Sequence, residues 1–378
     1  MEILNVSKKQ ISLFLFILIS FFFAVKYGSR ITPYYILLAL IISVFYYIIW
    51  KKRIFFQRFQ AKSTYVLLVV FTILFSFVFY KITPESLNVD RWSVITSFWD
   101  NYFNNEYVYA AKSHKGNPPG PMPFYYIIAL PFYFIGELGF LSIMGALVFL
   151  LILNYLKTPN YLKVTTLLLV LSSTFYLWEV TCRSNVFLNA SLIVFSIVYF
   201  FKIMENILNK INLIAIGIII GLLLSTRNVF VIPYIVFFLY ALKFKVVSIK
   251  NTIIICLITI ITFCATFLPF IHNHWEEFKI INPFIIQSTY LMPFSYTVSC
   301  VILAFLSFFI LKNKNDVFFY SGIILFATVV IHYIHQIQRT NFNEAFFESR
   351  ADISYFIMSI PFLLIHFIMA ESIKKLDE

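Results

Sequence analysis

Apolar residues in this chain fall into long unbroken runs rather than the every-other-residue pattern of a half-buried strand. Runs near 11–26, 32–50, 63–81, 139–156, 163–178, 186–202, 211–225, 228–242, 250–269, 294–311, 317–333 and 352–370 approach or reach the roughly 17–25 residues a membrane-crossing helix needs. Their continuity argues against a transmembrane β-barrel, whose strands alternate. A further run, 122–135, is shorter and carries or abuts Pro121, Pro123 and Pro131. It predicts a helix lying at the membrane surface rather than another crossing. The pattern therefore predicts an all-α polytopic membrane protein with about twelve transmembrane helices, one domain over residues 1–378. No internal repeat, coiled coil or soluble domain interrupts it. The first run follows Lys8 and Lys9 as a signal peptide would, but Lys26 follows directly without a small-residue cleavage site, so a retained helix is expected.

Composition agrees. The chain is 61% hydrophobic and 12% charged, against about 45–50% and about 25% for a soluble domain. The net charge of +12 does not call for nucleic acid, because the lysines sit in short loops between apolar runs, where they set topology. The four cysteines, Cys182, Cys256, Cys264 and Cys300, form no CxxC pair; the three in apolar runs are expected to be inert buried thiols.

Charge then assigns sides. If 122–135 does not cross, Lys8 and Lys9, residues 51–53 with Arg58 and Lys62, Lys157 and Lys163, Lys202 and Lys210, Lys243, Lys245 and Lys250, Lys312 and Lys314, and Lys374 and Lys375 all fall on one side. By the positive-inside rule that side is the cytoplasm, and both termini lie there, as expected in a bacterial inner membrane. Residues 82–138 become the first large outer-face loop, with juxtamembrane helices. Residues 179–183, 226–228, 272–277 and 336–352 share that face. These loops are poor in lysine and rich in acids, histidine, arginine and aromatics, so chemistry is expected there.

Several residues stand out. Asp90 opens the outer loop; it could take a proton from an acceptor hydroxyl or amine, or only cap the helix expected to follow over 91–99. Arg91 beside it could hold a phosphate. The aromatics of 91–109 suit either interfacial anchoring or stacking on sugar rings. Glu179 and Arg183, four apart, would share one face at a helix end. Arg183 and Arg227 lie beside apolar runs, where a charge usually faces a polar cavity, and each is a candidate clamp for a lipid-linked phosphate or an arginine snorkelling to headgroups. His272 and His274 have His-x-His spacing, which suits a metal only on an extended strand, and no third ligand is fixed by sequence; a substrate-facing or solvated loop is expected instead. His332, His335, Gln336 and Arg339 make one stripe at helical spacing, followed by Glu344, Arg350 and Asp352. Arg339 and Arg350 are candidates for a donor phosphate or for salt bridges of a surface helix. No P-loop, GxGxxG, HExxH or GxSxG occurs.

The acidic residue in the first outer loop, the Pro/Gly-rich tract 116–123, the helix opening Pro123-Phe124-Tyr125-Tyr126 and the Gly turn after it resemble the GT-C superfamily, polytopic glycosyltransferases that use polyprenyl-phosphate sugars. The tracts at 183–185 and 225–233 resemble its mannosyltransferase-like members. The likeness covers roughly residues 85–290, as a pattern rather than a strict motif. Two extra runs precede the acidic loop, and a single Asp90 followed by Arg stands in place of paired acids. The resemblance implies a glycosyltransferase that moves a sugar from a polyprenyl-phosphate donor to a glycan or lipid acceptor at the outer face, with Asp90 as base and Arg183, Arg227 and Arg350 on phosphate. It requires no cofactor; a divalent metal is compatible with it. Two other readings are a Wzy-like polysaccharide polymerase and a lipid-glycan flippase or transporter.

Overall fold

A computed structural model describes residues 2–204, 209–290 and 293–374; Lys375, counted above among the topogenic lysines, lies outside them. The described residues form helices and connecting turns, with no strand among them. The first third contains α1 (Glu2–Gly28), α2 (Tyr35–Lys51), α3 (Lys62–Lys81), α4 (Arg91–Phe103) and α5 (Pro123–Ile135). The middle contains α6 (Gly139–Tyr155), α7 (Asn160–Ser172), α8 (Thr174–Thr181), α9 (Val186–Met204), α10 (Lys210–Leu224) and α11 (Val231–Lys243). The last third contains α12 (Ile249–Ala265), the short α13 (Leu268–Ile271), α14 (Trp275–Ile280) and α15 (Pro283–Tyr290), then α16 (Phe294–Ile310), α17 (Lys314–Arg339) and α18 (Ile360–Lys374). A 3-10 stretch, Ile353–Ser359, leads into α18.

Six helical segments are long and apolar enough to cross a membrane, or seven if the bent pair α7–α8 is one span. Several further apolar helices, α2, α5 and α6 among them, are shorter. Apolar side chains such as Leu37, Ile41 and Phe45 of α2 and Leu257, Ile260 and Ile261 of α12 face outward, each more than half exposed. Such a surface is compatible with a polytopic membrane protein, whose exterior meets hydrocarbon.

Local chemistry sets the breaks. α7 and α8 meet at 60° because Ser173 leaves the helix and restarts it as an N-cap, its hydroxyl accepting the Tyr176 N–H at 3.3 Å. Sequence reading had one continuous run over 163–178. α5 begins with Pro123 at its first position and stops at Gly136, whose φ of 82° is left-handed. α17 opens with a capping box: Asn313 accepts from the Asp316 N–H, and Asp316 accepts from the Asn313 N–H.

Two ends of the bundle are distinguishable. Lys8 near the start of α1 meets Asp316 at the start of α17 at 2.5 Å. Glu371 near the end of α18 takes Lys9 and Arg53. Sixteen residues further along α17, about 24 Å at 1.5 Å per residue, His332 lies among the residues of the other end. There α4, the 3-10 turn Val108–Ala110 and α5 form a separate aromatic cluster. Phe98 and Tyr126 stack 3.7 Å apart and nearly parallel, with Phe270 edge-on at 5.1 Å. Most of the aromatics of 91–109 that sequence assigned to anchoring or stacking on sugar are spent on one another. Cys256 and Cys264 are exposed on the outer side of α12, not buried as expected.

Candidate functional site

Backbone hydrogen bonds stitch the Pro/Gly tract to the end of α10. The Met122 N–H donates to the Thr226 carbonyl at 3.3 Å, and the Tyr125 N–H to the Ser225 carbonyl at 3.2 Å. The Phe124 N–H donates to the Ser225 hydroxyl at 3.2 Å. This seam places Tyr125 beside Arg227, whose guanidinium lies 5.3 Å from the centre of the phenol ring.

Beside the seam lies a cavity of about 770 Å³. Its charged lining is Asp90, Arg91, Arg227, Arg350 and Asp352, with His332, Tyr125 and Tyr355 among the other polar groups. Much of the remaining lining is aliphatic or aromatic, from α4, α11, α15, α16 and α17. Four of the residues singled out in sequence therefore converge: Asp90, Arg91, Arg227 and Arg350.

Their roles differ by what already holds them. Asp90 precedes α4, but its side chain makes no capping bond. Instead Oδ2 accepts from the Ser113 hydroxyl at 2.9 Å and the Asn117 amide at 2.7 Å. Oδ1 takes no part in this latch. Arg91 is ion-paired with Asp352 and donates to the Ser354 hydroxyl at 3.0 Å. Burial pulls its pKa down, but the Tyr355, Tyr125 and Asp90 groups around it outweigh burial and hold it above its ordinary value. Arg350 is largely exposed, with Glu344 3.7 Å away. Arg227 is the most open: Tyr125 engages its guanidinium, but Nε and Nη2 are buried and have no hydrogen-bond partner. Buried donors left unmade cost about 1–3 kcal/mol each, more for charged groups. Such a pair of nitrogens at a cavity wall has the donor geometry to take the oxygens of an anion. Burial raises the pKa of Tyr125, while Arg227 and Arg91 pull it down and Glu179 pushes it up; the phenol stays protonated near neutral pH.

The other candidates do not reach the cavity. Arg183 is 1% exposed and closed on Glu137, with Nε–Oε1 and Nη2–Oε2 both at 3.2 Å. Its remaining donors go to the carbonyls of Thr181 at 2.8 Å, Ile82 at 2.8 Å and Phe79 at 3.4 Å. Each of its three nitrogens is already engaged, and the group lies outside the cavity lining. The expected pairing with Glu179 fails for a backbone reason. α8 ends at Thr181, and Arg183 adopts a left-handed φ of 53° that takes it off the helical face. Glu179 instead accepts the Phe187 N–H at 2.8 Å. His272 is exposed and bonded to Asn273, and His274 contacts Glu277 at 3.4 Å; neither lines the cavity. Arg339 ends α17, exposed and away from it. Of the helical stripe, only His332 lines the wall.

Asp352, Tyr125 and Asn117 line the cavity although no site role is assigned to them from the sequence. Asp352 carried a signal, an acid two residues from Arg350 before the last apolar run. Tyr125 and Asn117 stood inside the quoted Pro/Gly tract, but only the seam to residues 225–226 shows why they matter. No group of three or more His, Cys, Asp or Glu that could hold a metal occurs among the described residues, so the donor set for a divalent ion is not assembled there. No family model, curated protein or solved structure matches the chain.

Proposed function

We propose that the chain is a GT-C-like glycosyltransferase that moves a sugar from a polyprenyl-phosphate donor to a glycan or lipid acceptor. The observation that carries this reading is Arg227, a half-buried arginine whose Nε and Nη2 are buried and unpartnered at the wall of a largely apolar cavity that also contains a carboxylate, Asp90. An anion site bordered by aliphatic side chains suits a phosphate attached to an isoprenoid better than a soluble nucleotide sugar.

In this scheme the acceptor oxygen attacks the anomeric carbon of the donor and the sugar–phosphate C–O bond breaks. The phosphate leaves with the bonding electron pair, and Arg227 takes up the charge that develops. Arg350, free to swing at the rim, adds a second positive contact. The acceptor hydroxyl proton passes to Asp90. Ser113 and Asn117 fix the carboxylate through Oδ2. Arg91, already neutralised by Asp352, holds the 3-10 stretch Ile353–Ser359 against α4 rather than binding phosphate itself. Counting the bent pair once and leaving α5 at the surface, the long and short apolar helices together make twelve crossings. On the positive-inside argument the cavity then opens to the outer face of a bacterial inner membrane, and both termini are cytoplasmic.

The test is transfer by membranes expressing the protein. Supplied with undecaprenyl-phosphate carrying a radiolabelled hexose, wild-type membranes should move label to a lipid or glycan fraction, and Arg227→Ala membranes should not. Equal labelling by Arg227→Ala, or a product consisting of preassembled blocks, would overturn the reading.

A further inference from the structure

α8 and α9 carry a buried polar group that the scheme above does not use. Glu179, Ser184, Asn185, Asn189 and Ser191 are each at most 1% exposed. Some of their capacity is met locally: Glu179 Oε1 accepts the Phe187 N–H at 2.8 Å, and Asn189 donates to Asn185 Oδ1 at 3.4 Å. The rest is not met. Glu179 Oε2, Asn185 Nδ2, Asn189 Oδ1 and the hydroxyls of Ser184 and Ser191 have no hydrogen-bond partner. Buried polar atoms are almost always satisfied, so the unpaired atoms of Glu179, Ser184, Asn185 and Asn189 point to an occupant; Ser191, two residues from Asn189, faces another side of α9.

The chemistry of the set narrows the occupant. It offers a carboxyl oxygen, an amide oxygen, an amide N–H and a hydroxyl. An apolar chain would satisfy none of them. A phosphate would face the Glu179 carboxyl. A metal would lack converging ligands among the described residues. A polyhydroxylated ring, which presents donors and acceptors together, matches the mixture. None of these residues is itself in the cavity lining, but the elements that carry them adjoin it. Leu188 of α9 belongs to the same buried cluster as Tyr125 and Tyr126. α9 packs against the stretch Ile353–Ser359, whose Tyr355 and Met358 line the cavity. The phenol of Tyr125, itself in the lining, lies within electrostatic reach of both Arg227 and Glu179.

We propose that Glu179, Asn185 and Asn189 form the hydroxyl-recognition subsite for the glycosyl group whose phosphate sits on Arg227. This rests on the glycosyl-transfer reading and adds to it the residues that select the sugar. Trapped water is the other occupant such a cluster takes.

The experiment is lipid binding by the full chain in nanodiscs. The probes are undecaprenyl phosphate, its glucosyl, mannosyl, galactosyl and N-acetylglucosaminyl forms, and singly deoxygenated versions of the tightest of these. Wild type should bind at least one glycosylated carrier about tenfold or more tightly than the bare phosphate, and should lose that margin on one deoxy form. Glu179→Gln and Asn189→Leu, both nearly isosteric, should lose the margin while keeping affinity for the bare carrier, which also reports that they are folded. Arg227→Ala should lose both. Variants that keep the margin would show that the cluster holds only water. Wild type that binds bare and glycosylated carriers equally, or ignores every deoxygenation, overturns the subsite and leaves the phosphate site standing. Binding of neither overturns glycosyl transfer, and the subsite with it.

Discussion

The two ends of this bundle use charge in opposite ways. At the lysine-rich end several of the less exposed cations are closed. Lys8 meets Asp316, Lys9 and Arg53 share Glu371, and Lys243 donates to the carbonyls of Phe308 at 2.7 Å and Leu311 at 2.9 Å at the end of α16. At the other end Arg227 is open, and Arg350 is only loosely held. Both ends have similar residue types, so composition alone does not separate a pinned charge from a working one. What separates them is whether the chain itself supplies the counter-group. Arg183 shows that this criterion outranks position: it sits at the site end and is nonetheless spent on Glu137 and three carbonyls.

The largest expected effect tests whether Asp90 is open in the same sense. If its carboxyl takes the acceptor proton, Asp90→Asn should lower turnover about 10²–10⁴-fold, the usual contribution of general base catalysis. Ser113→Ala, which removes one latch to Oδ2, should lower it less than about tenfold. Equal losses in the two variants, with equal drops in the unfolding temperature, would reduce Asp90 to a loop fastener.

Arg227 and Arg183 should separate next, in opposite columns. Arg227→Ala should cost about 10²–10³ in turnover, as loss of a charge-stabilising donor does, with the unfolding temperature nearly unchanged. Arg183→Ala should cost about 3–5 kcal/mol of stability, because it strands Glu137 and several carbonyls, while the molecules that fold keep their turnover. Calorimetry and transfer assays on the same preparations check both. An Arg227 variant that unfolds early but works normally would erase the contrast.

At the lysine-rich end, Lys8→Ala leaves Asp316 buried without its counter-ion and should cost about 3–5 kcal/mol. Replacing both partners, with Lys8→Met and Asp316→Leu, should recover part of that loss, since neither residue is then left uncompensated. Full recovery is not expected, because Asp316 also accepts the N–H groups of Lys312 and Asn313. Turnover per folded molecule should not move in either variant.

The helical, membrane-embedded character was legible because hydrocarbon admits few alternatives to long apolar helices, and the runs are written plainly in the sequence. The break at Ser173 was not, because a serine inside an apolar run reads equally as a tolerated helical residue and as a cap. The site was half legible. Asp90, Arg91, Arg227 and Arg350 stand out as charges beside apolar runs, and they do converge. Arg183 stood out in the same way and misled, because its partner Glu137 is 46 residues away and one left-handed residue redirects the side chain. Glu179 stood out only as a partner for Arg183 and Asn185 only as part of the tract 183–185, while Asn189 lies inside an apolar run without a signal of its own; burial without partners is what marks the three together.

The smallest expected effect sets the floor of the comparison. Tyr133 on α5 donates to Asp100 Oδ1 on α4 at 2.7 Å, at an exposed carboxylate near the site end. That bond, with a lesser contribution from burial, raises the phenol from its ordinary 10 to about 12. A raised folded-state pKa means the bond contributes stability below pH 10 and loses it as pH climbs from 10 through about 12. Water competes for both groups, so Tyr133→Phe should cost less than about 1 kcal/mol. The loss should be flat from pH 6 to 9 and vanish at the alkaline end. Lys8→Ala measured beside it should cost several times more over the same range, because its partner is buried and has no water to turn to. If the two variants cost the same, burial is not what distinguishes a closed charge from an exposed contact, and the contrast between the ends loses its physical basis.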